Sequence, residues 1–144
     1  MATIKRNASA HWSGTGKEDK GTITTQSGVL SNTPYSFSRR FGDETGTNPE
    51  ELIGAAHAGC FTMALAFQLT GAGKPAESLD TTAVVSLDQV EGGFRITAIH
   101  LDLAGKVPGI DQAKFETLAT GAKENCPVSK VLNATITLSA KLES

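Results

Sequence analysis

NPEELIGAAHAGCFTMALAFQLT, residues 48–70, is the stretch on which the fold turns. Asn48 is a good helix N-cap, Pro49 suits the first helical position, and Glu51 stands three residues beyond the cap, as a capping box requires. Glu50 and Glu51 also favour the positive end of the helix dipole. Gly71 and Gly73 stop the helix just after Thr70. Leu52, Ala55, Ala56, Gly59, Cys60, Met63 and Phe67 recur at three- and four-residue steps, while Ala58, Phe61, Leu65 and Leu69 fill much of the remainder. A helix this apolar is expected to be buried on most sides, its small residues letting another helix come close. One residue does not fit that inert pattern: Cys60, where alanine would serve.

Outward from this helix the chain reads as strands and turns. Alternation over 3–13 suits a strand, with Ile4, Ala8, Ala10 and Trp12 on one parity. The GTGK of 14–17 lacks the spacing and the Ser or Thr of a phosphate loop, so it reads as a hairpin turn. TITTQSG and PYSFSRRF give two further strands. After the helix, TTAVVSLDQ and FRITAIHLDL form a hairpin around residues 90–93, with a parity change that predicts a bulge near Thr97 and Ala98. Asp111 caps a second helix whose stripe is Phe115, Leu118, Ala119 and Ala122. A short helical turn follows Pro127, and TITLSAKL is a closing strand. The order βββ-α-ββ-α-β predicts an α+β fold, an antiparallel sheet packed on a central buried helix, as one domain over residues 1–144.

Composition bounds the function. A chain of 144 residues needs neither disulfide nor metal merely to fold, and 39% apolar and 19% charged residues are ordinary for a globular protein. The net charge of −2 gives no electrostatic reason to expect nucleic acid or an anionic membrane as partner. The N-terminal residues carry no apolar signal run and no stretch reads as a bilayer span, so a cytoplasmic location is expected. In a reducing compartment Cys60 and Cys126 are not a permanent staple. With His11, His57 and His100 they make no metal-ligand spacing, so neither a metal nor another cofactor is expected. Core hydrophobes or a redox pair remain open on the residues alone.

RFGDETGTNPEELIGAAHAGCF, residues 40–61, is followed 66 residues after its cysteine by CPVSKVL. Together these resemble the OsmC/Ohr family of thiol-dependent hydroperoxide reductases, and GTNPEEL, AAHAGCF and CPVSKVL resemble its OsmC branch. The resemblance covers nearly the whole chain. It implies an intertwined homodimer with active sites at the subunit interface, an organic hydroperoxide as substrate and a dithiol reductant, a lipoyl-type dithiol among the candidates. By position, Cys60 matches the peroxide-attacking cysteine, Cys126 the resolving cysteine, Arg40 the family arginine and Glu50 its partner carboxylate. Strand parity does not choose between Arg39 and Arg40; the alignment favours Arg40.

The chemistry adds its own demands. Peroxide reduction needs a thiolate, and burial in an apolar helix raises a thiol's pKa. Residues 52–69 hold no strong cation. His57 lies three residues before Cys60 and is either a charge partner or a structural histidine; an arginine from another element is the better candidate, because it stays protonated. Cys126 stands where Pro127 starts a helix, whose positive end eases ionisation. Ten residues of helix rise about 15 Å, so Glu50 does not meet Cys60 within one straight helix. Either the helix breaks or Glu50 reaches the Cys60 of a second subunit, and the second is expected, through antiparallel packing of this helix on its symmetry mate. Cys60 would then become a sulfenic acid and close a disulfide with Cys126. A redox sensor or hydrophobic-ligand binder without turnover is the alternative on the same fold.

Overall fold

The computed structural model describes residues 2–144, which divide into two compact units, one ending at Leu52 and the other running from Ile53 to Ser144. The first unit is an antiparallel sheet of β1 (Ala8–Ser13), β2 (Lys20–Thr25) and β3 (Thr33–Ser36), in that order. β1 is shorter than the alternation suggests. Residues 14–19 form the expected turn, in which the Asp19 carboxylate accepts from the Thr15 amide at 2.6 Å. Trp12 and Tyr35 meet edge to face across the sheet at 5.3 Å between centroids.

The third strand stops early. PYSFSRRF is strand only through Ser36; residues 37–41 form a short helix, α1 (Phe37–Phe41), which corrects the strand reading of Arg39 and Arg40. Ser36 caps α1, its hydroxyl accepting from the Arg39 amide at 3.3 Å. Phe37 and Phe41, four residues apart, pack ring on ring with centroids 4.8 Å apart. The cap and this i, i+4 aromatic pair outweigh the strand propensity of the aromatics.

The long helix α2 (Pro49–Gly71) starts at the expected cap: Asn48 Oδ1 accepts from the Glu51 amide at 2.8 Å. The return half of the capping box is redirected, since the Glu51 carboxylate accepts from the Thr47 hydroxyl at 3.0 Å. α2 is unbroken. By length and composition it is apolar enough to cross a bilayer, which corrects the expectation that no stretch is, because alanine and glycine add to the apolar side of the balance. One face of it nonetheless belongs to a protein core.

In the second unit α2 is followed by β4 (Ser78–Val90), β5 (Gly93–Lys106), α3 (Gln112–Asn125), α4 (Pro127–Val131) and β6 (Thr135–Glu143). β4 and β5 form the expected hairpin. Ala98 pairs with Ser86 and Ile96 with Leu87, so Thr97 is the extra residue of the predicted bulge. β6 pairs with β5 in parallel, which corrects the all-antiparallel expectation. α3 and α4 carry the chain back along the sheet, the crossover that parallel pairing requires. The observed order is therefore βββ-αα-ββ-αα-β in two three-stranded sheets. Phe61, Leu65 and Leu69 of α2 form the core with Ile99, Leu101 and Leu103 of β5 and Phe115, Ala119 and Ala122 of α3.

α2 is not buried on most sides. His57, Phe61, Leu65 and Leu69, each four residues apart, are fully buried, while the opposite stripe is exposed, with Met63 at 63% and Phe67 at 73%. Ala55, Ala56 and Gly59 continue that open stripe.

Candidate active site

The two cysteines, 66 positions apart in sequence, meet in the second unit, and both are free thiols. α2 presents Cys60 between Gly59 of its open stripe and Phe61 of its core stripe, so the thiol is half-buried. Cys126 is fully buried at the junction of α3 and α4, where its amide donates to the Ala122 carbonyl at 2.9 Å. Pro127 cannot continue α3 and instead opens α4, which turns the Cys126 side chain inward.

The thiols are close enough for each to shift the ionisation of the other, and their surroundings separate them. Burial pushes the Cys60 thiol up, donation to Cys126 raises it further, and the Val128 backbone only partly offsets this. Burial also opposes ionisation of Cys126. It is outweighed by the hydrogen bond from Cys60, the Ser129 amide and hydroxyl, and the Val128 backbone, which together bring Cys126 below the usual thiol range. Within this chain Cys126 is thus the readier of the two thiols to ionise. The expected rise at Cys60 and fall at Cys126 are both present.

His57, one turn before Cys60 on the core face of α2, is fully buried, and its Nε2 lies 2.7 Å from Ser129 Oγ of α4. Burial lowers its pKa and favours the neutral ring. It is therefore no cationic partner for Cys60. Its Nδ1 is buried without a partner. Sequence reasoning does not single out Ser129; the available signal is a hydroxyl three residues beyond a cysteine at a helix start. Among the described residues no cluster of three or more His, Cys, Asp or Glu side chains could hold a metal ion.

The first unit holds the other two candidate residues. Arg40 Nε and Glu50 Oε1 form an ion pair at 2.7 Å, with the arginine side chain 39% exposed and the glutamate 10%. The guanidinium also lies over the Phe41 ring, 5.2 Å from its centroid. Glu50 Oε2 is buried without a partner. Arg39 points elsewhere. It pairs with Glu44 at 3.1 Å and donates to the Thr45 carbonyl at 2.7 Å and to Ser36 Oγ at 3.2 Å. It holds the 42–47 loop. Gly46 makes room for it, since a Cβ there would stand 2.2 Å from Arg39 Cδ.

Residues 42–141 match the family model described as OsmC-like protein. The chain belongs to the OsmC-like family. Within that family it is 55% identical to peroxiredoxin OsmC of Escherichia coli (strain K12) over 142 residues, 99% of each chain. It is 31% identical to the organic hydroperoxide resistance protein of Xanthomonas axonopodis pv. citri (strain 306) over 136 residues, 92% of each chain. The higher identity agrees with the resemblance to the OsmC branch. Among solved structures, an organic hydroperoxide resistance protein OsmC from Legionella pneumophila superposes with a TM-score of 0.72 at 27% identity, covering 98% of this chain and 99% of the other.

Proposed function

We propose that this OsmC-like chain is a cysteine-based peroxidase that reduces organic hydroperoxides to alcohols and is itself reset by a dithiol. The convergence of Cys60 and Cys126, close enough for each to shift the other's ionisation, carries this reading, because a disulfide needs that convergence and a pair of incidental core thiols does not. Cys60 is the accessible sulfur and meets peroxide first. As a thiolate it attacks the outer oxygen and the O–O bond breaks. The alkoxide takes a proton from solvent and leaves as alcohol, and Cys60 becomes a sulfenic acid. Cys126, in its thiolate form, attacks the Cys60 sulfur; the S–S bond forms, hydroxide departs and solvent protonates it to water. A dithiol, of lipoyl type among the candidates, reopens the bond by exchange.

Arg40 and Glu50 enter this reading across a homodimer. α2 is unbroken, so about 15 Å of helical rise separates Glu50 from Cys60 of its own chain. The open stripe of Ala55, Ala56, Gly59, Met63 and Phe67 fits a second copy of α2 packed antiparallel, which brings Arg40 and Glu50 of the partner subunit to Cys60. There the guanidinium stabilises the departing alkoxide. Phe37 and Phe41, half-exposed beside Arg40, would receive an alkyl tail, whereas Phe61 lies in the core and would not. The two units then work as one catalytic domain over residues 1–144, in the cytoplasm.

The test is peroxide consumption with a dithiol, followed by mass spectrometry. Wild type should consume cumene hydroperoxide in proportion to time and yield an intramolecular Cys60–Cys126 disulfide. Cys60→Ser should abolish turnover, and Cys126→Ser should permit about one oxidation and then stall. A single stoichiometric oxidation in wild type would indicate a sensor, and no intramolecular bond would end the proposal.

A further inference from the structure

The sheet of the second unit ends on one side at β6, which pairs with β5 along one edge; among the described residues no strand lies along the other. A strand edge without a neighbour offers a row of unpaired amide and carbonyl groups to any extended chain it meets. β6 carries no proline, and its two charges, Lys141 and Glu143, are opposite in sign, so a second copy of the strand would not be repelled. Near its end, however, the edge is occupied. Gln112 Nε2 donates to the Ala140 carbonyl at 2.9 Å, and Gln112 Oε1 accepts from the Leu142 amide at 2.9 Å. A residue of a parallel neighbouring strand would do the same two things, donating its N–H to the carbonyl before Lys141 and accepting from the amide after it. One side-chain amide thus takes the place of one residue of a fourth strand.

The amide is held in place for this task. Gln112 is the first residue of α3, directly after the Asp111 cap, whose carboxylate accepts from the Lys114 amide at 2.7 Å. Nε2 also donates to Glu116 Oε1, one turn on, at 2.7 Å. All three contacts agree on which end of the amide is nitrogen. Phe115, Ala119 and Ala122 anchor α3 in the core. We propose that Gln112 is an edge guard: its side-chain amide pairs with β6 between Ala140 and Leu142 and shuts a strand-accepting surface whose ready occupant is the same edge of a second copy. Symmetry selects that occupant, because every molecule carries the edge and an isologous pairing needs no other partner. The opposite edge, β4, is defended differently. Asp80 and Asp88 are both exposed on it, and self-pairing centred between them sets aspartate against aspartate. Gln112 serves this role whether or not the chain turns over peroxide.

The experiment is sedimentation velocity on the full-length chain, joined to hydrogen exchange at the Leu142 amide. Wild type should show no species larger than a dimer and a protected Leu142. Gln112→Met keeps the stem of the side chain and removes the amide. It should expose the Leu142 amide to exchange in dilute solution and, on concentration, double the sedimenting mass relative to wild type. Ser139 is an exposed position of β6, so Ser139→Lys puts a like charge on the edge of both copies. Added to Gln112→Met, it should return the mass to that of wild type while Leu142 stays unprotected. Gln112→Asn, whose shorter amide does not reach both Ala140 and Leu142, should behave as the methionine variant does, and it decides alone if that variant fails to fold. A Gln112→Met protein of wild-type mass would overturn the guard, whatever its exchange at Leu142. A larger species that persists after Ser139→Lys is added would overturn it too, because the association would then use another surface.

Discussion

Arg39 and Arg40 are chemically identical neighbours, and the groups around them divide their work. Arg39 is largely covered and spends its donors on Ser36, Glu44 and Thr45, so its energy goes into holding the 42–47 loop. Arg40 has one carboxylate partner, one aromatic face and an exposed remainder. The expected outcomes therefore separate. Arg39→Ala should lower stability by about 1–3 kcal/mol, since it removes hydrogen bonds from a charged donor, and kcat/KM of the folded fraction should change little. Arg40→Met should also cost stability, because it leaves the buried Glu50 carboxylate unpaired, but it should in addition lower kcat/KM of the folded fraction by roughly a hundredfold. Urea denaturation and steady-state peroxide assays on the two variants check this. The reverse pattern would move the catalytic role to Arg39.

At the scale of elements, α2 carries two stripes of opposite purpose. The spacing of 57, 61, 65 and 69 puts one residue per turn into the core, and the 55, 59, 63, 67 series leaves the other side open. Cys60 sits at their border, where it is held by packing yet reachable. The core face depends on close approach between β5 and α3. A Cβ on Gly105 would stand 2.5 Å from Cζ of the fully buried Phe115 and 3.1 Å from Cδ2 of the partly buried Leu79. Gly105→Ala should therefore destabilise by about 1–3 kcal/mol through overpacking. The readout is a lower urea midpoint at an unchanged denaturant slope.

The whole molecule has an uneven distribution of core. Among the described residues every fully buried hydrophobic side chain belongs to the second unit, and the buried polar ones of the first are Ser36, Thr47 and Glu50. A unit of that size with no apolar interior of its own needs further cover, and the open stripe of α2 needs a partner. The proposed homodimer would answer both. Gly59 gives a clean probe, because a Cβ there meets nothing within 4 Å in the chain itself. Gly59→Leu should fold but sediment as a monomer at micromolar concentration, and peroxide turnover should fall with the loss of the dimer. Wild type should show a Tm that rises with protein concentration. A Gly59→Leu protein that remains fully dimeric and active would place the interface elsewhere.

The sequence alone determined what depends on local chemistry. The Asn48 cap, the hairpin and its bulge, the Asp111 cap and the break at Cys126-Pro127 all follow from short-range rules, and the motifs around Cys60 and Cys126 pointed to the family. α1 was also local, written in Ser36 and the Phe37–Phe41 spacing, but aromatic strand propensity hid it. Other features were decided only by tertiary structure, because they rest on through-space partners. Parallel pairing of β6 depends on how the crossover returns. The division of labour between the arginines depends on which carboxylate each reaches. His57 is a candidate charge partner for Cys60 by spacing alone, but burial makes it neutral and Ser129, 72 positions away, claims its Nε2. Periodicity marks which residues of a helix share a face, but whether that face meets a core, a solvent or a second chain is settled only by what folds against it.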